Sequence, residues 1–233
     1  MTNSTRAAAH PVDSLFLDRW STRAFDATPM PRPDLDSIFE AARWAPSAFN
    51  HQPWRFLYVH RDDPAWDEYL DLLVPFNRDW AQQASVLIFI LSDTLIDRPG
   101  AEAKTSYSHS FDAGAAWAML ALQATRLGYH AHGLTGVDFD AARAALRVPE
   151  RFRIEAAVAV GRRGDPSLLP DSLRERERPS GRKPIGELVF EGRYPSFHNC
   201  RRYRPLASSH HMPMISCALD DEQALQNGSR AMP

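Results

Sequence analysis

Two short segments of the sequence combine residue types that bind anions and polar rings. The first, Arg19-Trp20-Ser21-Thr22-Arg23, sits where a helical pattern that starts at residue 11 runs out. A phosphate monoester carries nearly two negative charges, and two forked guanidinium groups with a hydroxyl between them match it. The pentapeptide is therefore a candidate phosphate site. The alternative is a solvated helix end, where arginine and serine are common.

The second segment, Ala45-Pro46-Ser47-Ala48-Phe49-Asn50-His51-Gln52-Pro53-Trp54, lies where a second helical pattern gives way to a strand. It combines rigid proline backbone with several hydrogen-bonding side chains. A flavin ring needs this mixture, because its pyrimidine edge presents donors and acceptors while its flat face needs apolar cover. The alternative is a turn between helix and strand, in which Asn50 and Gln52 cap backbone groups.

Taken together, the two segments resemble the paired motifs of the nitroreductase family of FMN enzymes. The first family motif is matched by Arg19, Ser21, Arg23 and Phe25, and the second by Pro46, Ser47, Asn50, Gln52, Pro53 and Trp54. Their order and separation also agree with the family. The resemblance covers nearly the whole body of the chain.

The resemblance implies further FMN-binding positions. Asn77 corresponds to an asparagine that faces the flavin pyrimidine, the loop at Thr135-Gly136 to backbone N–H groups that face flavin N5 and O4, and Arg182-Lys183 to a late basic pair at the phosphate. The full predicted set is Arg19, Trp20, Ser21, Arg23, Pro46, Ser47, Asn50, Asn77, Thr135, Gly136, Arg182 and Lys183. Trp80 stands where several members carry a basic residue.

Four aromatic residues are candidate walls of a substrate pocket, with core packing as an equal alternative for each: Phe49, Phe76, Tyr107 and Phe111. No Gly-x-Gly-x-x-Gly follows a strand, so the sequence predicts no separate dinucleotide-binding domain. NADH or NADPH would then bind where the acceptor binds later, in a ping-pong exchange. The flavin would carry the chemistry, and no side chain is predicted as catalytic.

The resemblance implies hydride transfer to nitroaromatics, quinones or similar small electron-poor acceptors. Two other functions fit the same motifs. One is a specialised flavin reaction such as reductive dehalogenation. The other is an FMN carrier or sensor without turnover.

Composition narrows the partners. The chain has 233 residues, 24% of them charged, and a net charge of −2, which gives no electrostatic reason to expect nucleic acid or a membrane as partner. The alternating run from Arg174 to Arg178 favours a solvated face. Its two cysteines, Cys200 and Cys217, and the short apolar runs favour a cytoplasmic protein. His130 and His132 have no further ligand nearby in sequence, so no metal site is predicted.

The elements that must position these residues mix helix and strand. Periodicity predicts helices over 11–23, 33–45, 64–74, 105–127 and 138–147, and strands over 54–60, 85–91 and 154–160, with another strand ending near Gly133. The 105–127 segment carries apolar residues on nearly every face, which predicts a helix buried all round.

These elements form an α+β chain. The family resemblance makes it an α/β/α sandwich with a central, mostly antiparallel sheet and a long buried central helix. It also implies a homodimer with FMN at the subunit interface. We expect one domain over 1–193, followed by an extension over 194–233 that is loosely ordered or wraps the partner subunit.

Overall fold

A computed structural model describes residues 6–195 of the chain. The helices are α1 (Ser14–Asp18), α2 (Arg32–Arg43), α3 (Trp66–Asp71), α4 (Pro75–Ala81), α5 (His109–Arg126), α6 (Phe139–Ala145) and α7 (Asp171–Arg174). The strands are β1 (Trp54–His60), β2 (Val86–Asp93), β3 (Leu95–Arg98), β4 (Ala101–Thr105), β5 (His130–Leu134) and β6 (Phe152–Gly161). The described elements confirm the mixed class that the sequence predicts.

The central sheet has four strands in the order β1-β2-β6-β5, and every neighbouring pair is antiparallel. The register places Trp54 opposite Ser92 at one end of the β1-β2 ladder and His60 opposite Val86 at the other. Its inner strand β2 is buried over nearly its whole length. The sequence predicts this burial from a continuous apolar, β-branched run.

Side chains of β2 alternate between two separate cores, because successive strand residues point to opposite faces. Leu87, Phe89 and Leu91 join a core with α3, α4 and α6. Val86, Ile88 and Ile90 join a core with α2 and α5 on the other face. Helices thus cover both faces of the sheet, which confirms the three-layer α/β/α sandwich.

The central helix α5 is the longest helix of the described chain, with 18 residues. One side of it is buried in the core it shares with α2, through residues such as Ala116 and Leu120. The opposite side, which includes Phe111, Gly114, Ala118 and Met119, is exposed. In the single chain, therefore, the helix is buried on one side, and apolar residues on its other side have no cover within the described residues.

Three elements differ from the sequence-based assignment. The helix predicted over 11–23 covers only Ser14–Asp18, and the backbone is extended from Arg19 on, because Arg23 N and Ala24 N donate to the distant Glu177 carboxylate and not to a helical turn. The predicted helix over 105–127 begins only at His109, because residues 95–105 form the hairpin β3-β4. The hairpin turns at Pro99-Gly100, where Gly100 has φ +71, a conformation that glycine adopts without steric cost. Helix α4 was not predicted. It begins with Pro75 in the first turn, a position that proline favours.

The described chain divides into two units, residues 6–183 and residues 184–195. The second unit contains a short 3-10 turn, Ile185–Glu187, and an edge-to-face contact between Phe190 and Tyr194. The expected extension over 194–233 lies almost wholly outside the described residues. The boundary after residue 193 stays a prediction.

Candidate functional site

Arginines from three parts of the chain converge on one groove with a volume of about 810 Å³. Arg19, Ser21 and Arg23 reach it from the extended segment that follows α1, and Arg182 reaches it from the end of the first unit. Trp20 also lines the groove. Five of the predicted phosphate-site residues therefore share one surface, although more than 150 residues separate Arg23 from Arg182 in the sequence.

The groove concentrates positive charge. Burial lowers the pKa of Arg19, and Arg182 and Arg6 lower it further. Burial also lowers the pKa of Arg23, with a further contribution from Arg176, while Glu177 raises it. Within the described residues the buried Nε of Arg23 has no hydrogen-bond partner. Cations that repel one another around an unsatisfied donor form a site that an anion stabilises.

Glu177 holds the segment from Thr22 to Ala24 in place. Its side chain is buried, and its carboxylate accepts hydrogen bonds from the Thr22 hydroxyl, from Arg23 N at 3.1 Å and from Ala24 N at 3.2 Å. The prediction of a solvated face over Arg174–Arg178 is therefore wrong for Glu177. Its neighbours Arg176 and Arg178 line the groove.

Sequence reasoning missed Glu177, Arg176 and Arg178, because an alternating charge run has the same sequence pattern whether one of its acidic side chains is buried or exposed. It also missed Arg6. The Arg6 guanidinium donates to Arg19 O at 2.8 Å and to Ser180 O at 3.0 Å, so it joins the two segments that border the groove. No local signal in the sequence identifies either contact, since both partners are distant along the chain.

Beneath the segment, His132 and Trp80 form a buried aromatic layer. His132 Nδ1 lies 2.7 Å from Thr22 O, and its ring centroid is 4.6 Å from that of Trp80. Burial lowers the pKa of His132 to about 4, although its bond to the Thr22 backbone acts in the opposite direction. A histidine at this pKa is neutral at pH 7, so its Nδ1 carries the hydrogen it donates to Thr22.

Trp80 replaces the basic residue of some family members with a core side chain. It is 2% exposed and lies between the rings of Phe25 and His132. The Arg23 guanidinium carbon lies 5.9 Å from the centre of its ring, within the range of a cation-π contact. Trp80 therefore packs against the Arg23 side chain and does not itself line the groove.

The predicted flavin loop and Asn77 contact each other directly. Asn77 Nδ2 donates to Gly136 O at 3.2 Å, and Val74 N donates to the same oxygen at 3.1 Å. A Cβ at Gly136 would lie 2.2 Å from Asn77 Nδ2, so only glycine permits this approach. The structure thus brings together Asn77 and Gly136, two residues that sequence reasoning linked only through the family.

Next to the groove lies a largely apolar cavity of about 740 Å³, between α5 and the strands β2, β5 and β6. Arg19 and Ser21 border both spaces, and Thr135 lines the cavity. Trp117 forms part of its wall and packs against Gly133, where an added Cβ would come within 3.1 Å of the indole ring. A ligand with a phosphate at one end and a flat apolar ring at the other matches this pair of spaces.

The second sequence motif forms a strained, exposed loop. Phe49, Asn50 and Gln52 have φ values of +51, +56 and +50, which non-glycine residues seldom adopt. Ser47 Oγ accepts from Gln52 N at 3.0 Å, and Asp112 of α5 accepts from Ala48 N at 3.2 Å. Such conformations persist where the surroundings enforce them, often at functional sites.

The structure does not bring every predicted residue into one place. Within the described chain, six predicted cofactor residues line neither the groove nor the cavity: Pro46, Ser47, Asn50, Asn77, Gly136 and Lys183. The four residues predicted as pocket walls are also absent from the lining of both spaces: Phe49, Phe76, Tyr107 and Phe111. All four are exposed, Phe49 at 94% and Phe111 at 82%, so the alternative of core packing is wrong for them.

Comparison with known proteins places this geometry in context. A family model described as the nitroreductase family matches residues 17–162. An NADH dehydrogenase from Thermus thermophilus is 31% identical over 202 residues, which cover 75% of this chain and 92% of the relative. No helix among residues 6–195 is long and apolar enough to cross a membrane.

Two solved structures share the fold. One, described as an oxidoreductase containing FMN, is 52% identical with a TM-score of 0.81, and the match covers 84% of this chain and 99% of that one. The other is a putative nitroreductase in complex with FMN from Desulfovibrio desulfuricans. It is 27% identical with a TM-score of 0.61, and the match covers 81% of this chain and 100% of that one.

Proposed function

This chain belongs to the nitroreductase family of oxidoreductases, and on that basis we propose that it binds FMN and transfers hydride from NADH or NADPH to small electron-poor acceptors. Nitroaromatics and quinones are the acceptor classes we propose. The observation that carries the proposal is the convergence of Arg19, Ser21, Arg23 and Arg182 on one groove that adjoins an apolar cavity.

The residues of the groove fit a phosphate group. The Arg23 Nε is buried without a partner among the described residues, and a phosphate oxygen is the acceptor that would satisfy it. Burial lowers the pKa of Arg19, and Arg182 lies close enough for its charge to lower that pKa further. A bound dianion removes this repulsion, so the groove favours FMN over uncharged riboflavin.

The residues beside the cavity fit the ring of the cofactor. We propose that Asn77 and the Thr135-Gly136 backbone hold its polar edge, since Asn77 is already fixed against Gly136. FMN held there would supply the hydride-transfer chemistry between the nicotinamide and the acceptor. The protein then contributes binding, orientation and a positively charged surrounding that stabilises an anionic flavin.

Donor and acceptor are proposed to use one site in turn. The sequence has no second glycine-rich phosphate cradle, so a ping-pong exchange over one flavin face is the arrangement that fits it. Initial-rate plots against donor at several acceptor concentrations should then be parallel. Intersecting lines would show that donor and acceptor bind together and would contradict this part of the proposal.

We further propose a homodimer. The exposed side of α5 carries Phe111, Gly114, Ala118 and Met119, and the side chain of Phe49 on the neighbouring loop is 94% exposed. A large exposed apolar surface of this kind typically marks a protein interface. A second copy on this surface would cover the exposed side of α5. It would also bring the second-motif residues of one subunit towards the cofactor of the other.

Titration of the apoprotein with FMN and riboflavin tests the cofactor. We expect FMN to bind at least about tenfold more tightly, since one charge-assisted bond contributes roughly 1.5–3 kcal/mol. Equal affinities would refute the phosphate role of the groove. Steady NADH or NADPH oxidation with an added quinone then separates an enzyme from a flavin carrier, which would be reduced once and stop.

A further inference from the structure

A polar cluster lies at one end of the apolar cavity, apart from the arginine groove. Glu155 Oε1 accepts hydrogen bonds from Ser92 Oγ at 2.5 Å and from Ser110 Oγ at 2.6 Å. His109 Nδ1 lies 2.8 Å from Ser92 Oγ. Each hydroxyl has one hydrogen and gives it to Glu155, so the hydrogen between His109 and Ser92 belongs to Nδ1. These donors together fix the direction of the Glu155 carboxylate.

A β-bulge presents Glu155 to the cavity. Ile90 pairs with Ala156 and Leu91 pairs with Ile154, so Glu155 is the extra residue of β6 at this point. A bulge bends its strand and redirects one side chain, and bulges are frequent next to active sites. The outcome here is that Glu155 faces Ser110 on α5 and lines the cavity.

Among residues 6–195, nothing donates a hydrogen bond to the second carboxylate oxygen, Oε2, which therefore keeps free capacity for a ligand. Its nearest ion-pair partner is Arg153, whose Nε lies 3.6 Å from Glu155 Oε2, too far for a hydrogen bond. The Arg153 side chain is 63% exposed, so water screens its charge. Among the cavity-lining residues the other charged side chain is Arg19, which also borders the arginine groove.

We propose that Glu155 selects the electron acceptor, so that the part of the cavity beside Glu155, next to the bound flavin ring, binds electron-poor aromatic compounds bearing an ammonium or another strong hydrogen-bond donor. The inference rests on the proposed oxidoreductase function. A donor on the acceptor satisfies Oε2, whereas a carboxylate on the acceptor would face a fixed negative charge in an apolar space. Neutral quinones neither gain nor lose from Glu155.

Paired acceptors test this selection. In the FMN-loaded protein, para-nitrobenzylamine, para-nitrobenzyl alcohol and para-nitrobenzoate would be compared by kcat/KM at neutral pH. We expect Glu155→Gln to lower the value for the ammonium compound about tenfold and to raise it for the benzoate, mainly through KM. The exposed Glu150 precedes β6 and lines neither space, so Glu150→Gln removes the same charge elsewhere and should leave the ratio unchanged.

A binding measurement gives a readout that needs no turnover. Benzylamine and benzoate, which cannot be reduced, would be titrated into the FMN-loaded wild type and Glu155→Gln by calorimetry. We expect benzylamine to bind the wild type more tightly than benzoate and to lose this advantage in the variant. FMN affinity should be the same in both proteins.

Three outcomes would overturn the inference. Equal slowing of all acceptors, including a neutral quinone, would make Glu155 a general requirement of the reaction. Loss of FMN affinity in Glu155→Gln would assign the carboxylate to the cofactor, and an unchanged acceptor preference would remove its role in selection. If nothing is reduced yet benzylamine binding still depends on Glu155, the proposed function fails while the binding site stands.

Discussion

Glu177 should control both the stability of the protein and its affinity for FMN, although it belongs to an alternating charge run of a kind typical of solvated surfaces. Its carboxylate is 7% exposed and accepts from the Thr22 hydroxyl and from the backbone of Arg23 and Ala24. Glu177→Ala leaves two backbone N–H groups without their partner. Each buried unsatisfied donor costs about 1–3 kcal/mol, and entering water recovers part of this. We expect a loss of about 2–4 kcal/mol in the free energy of unfolding.

Glu177→Gln should cost less, about 1–2 kcal/mol, because the amide keeps one acceptor oxygen but loses the charge assistance. For the FMN affinity of Glu177→Ala, the lost negative charge and the lost hydrogen bonds predict opposite changes. Removal of a carboxylate near the groove would tighten phosphate binding, whereas loss of the bonds to Arg23 and Ala24 would loosen the segment that presents Arg23. We expect order to prevail and FMN to bind Glu177→Ala about tenfold more weakly.

The assay is urea unfolding of the apoprotein at fixed concentration, together with fluorescence titration by FMN and by riboflavin. Glu175→Gln is the matched control, since Glu175 is exposed, lies in the same run and lines the same groove. It should leave stability unchanged. Unaltered stability of Glu177→Ala, or tighter FMN binding by it, would refute the reasoning. An equal loss of riboflavin affinity would show that the effect is not directed at the phosphate.

The remaining predictions concern four other positions. Arg23→Ala should weaken FMN binding about tenfold to hundredfold in titrations and leave riboflavin binding unchanged, because charge-assisted bonds contribute about 1.5–3 kcal/mol. Burial lowers the pKa of His132 to about 4, so between about pH 4 and pH 6.5 His132 is protonated in the unfolded chain and neutral in the folded protein. Stability should be full above about pH 6.5 and fall by up to about 3 kcal/mol towards pH 4 in urea titrations, and His132→Asn should flatten this slope. Gly136→Ala should displace Asn77, which lies 2.2 Å from the added Cβ, and slow bleaching of bound FMN by NADH in stopped flow. Met119→Glu should convert the proposed dimer to monomers in light scattering without unfolding them, since Met119 is exposed in the single chain and lines neither the groove nor the cavity.

The parts of the fold that the sequence predicts correctly are those with a local cause. Strand β1 has the predicted bounds, Trp54–His60, because β-branched and aromatic residues follow a turn rich in proline. The helix predicted over 105–127 starts late because the hairpin β3-β4 depends on pairing with a neighbouring strand, which periodicity does not register. The Pro99-Gly100 pair was a usable turn signal.

The exposed side of α5 shows a limit of a different kind. Apolar residues on every face predict burial all round, yet residues 6–195 of one chain cover only one side. A sequence records every surface that the working molecule buries, including surfaces that a second subunit covers. The pattern is therefore informative about assembly in the same way that it is informative about the core.

The site residues also divide into those that local sequence predicts and those that depend on contacts with distant parts of the chain. The position of Arg19, Ser21 and Arg23 on one groove was predictable, because a phosphate site needs those residue types at close spacing. Glu177 and Glu155 were not, because each acts through contacts with residues distant in sequence: Glu177 with Thr22, and Glu155 with Ser92 and Ser110. A buried carboxylate cannot be distinguished from a solvated one until its donors are known.

The two sequence motifs place a geometric demand on the functional molecule. The first motif lies at the groove, while the second is pinned by Asp112 of α5 on a loop that lines neither the groove nor the cavity of its own chain. We therefore propose that a ligand that contacts both motifs bridges two copies of the chain. The strained backbone at Phe49 and Asn50 then has a reason to persist, because it presents these side chains away from their own subunit. On this reasoning, loss of the dimer should release FMN even when every arginine of the groove is intact.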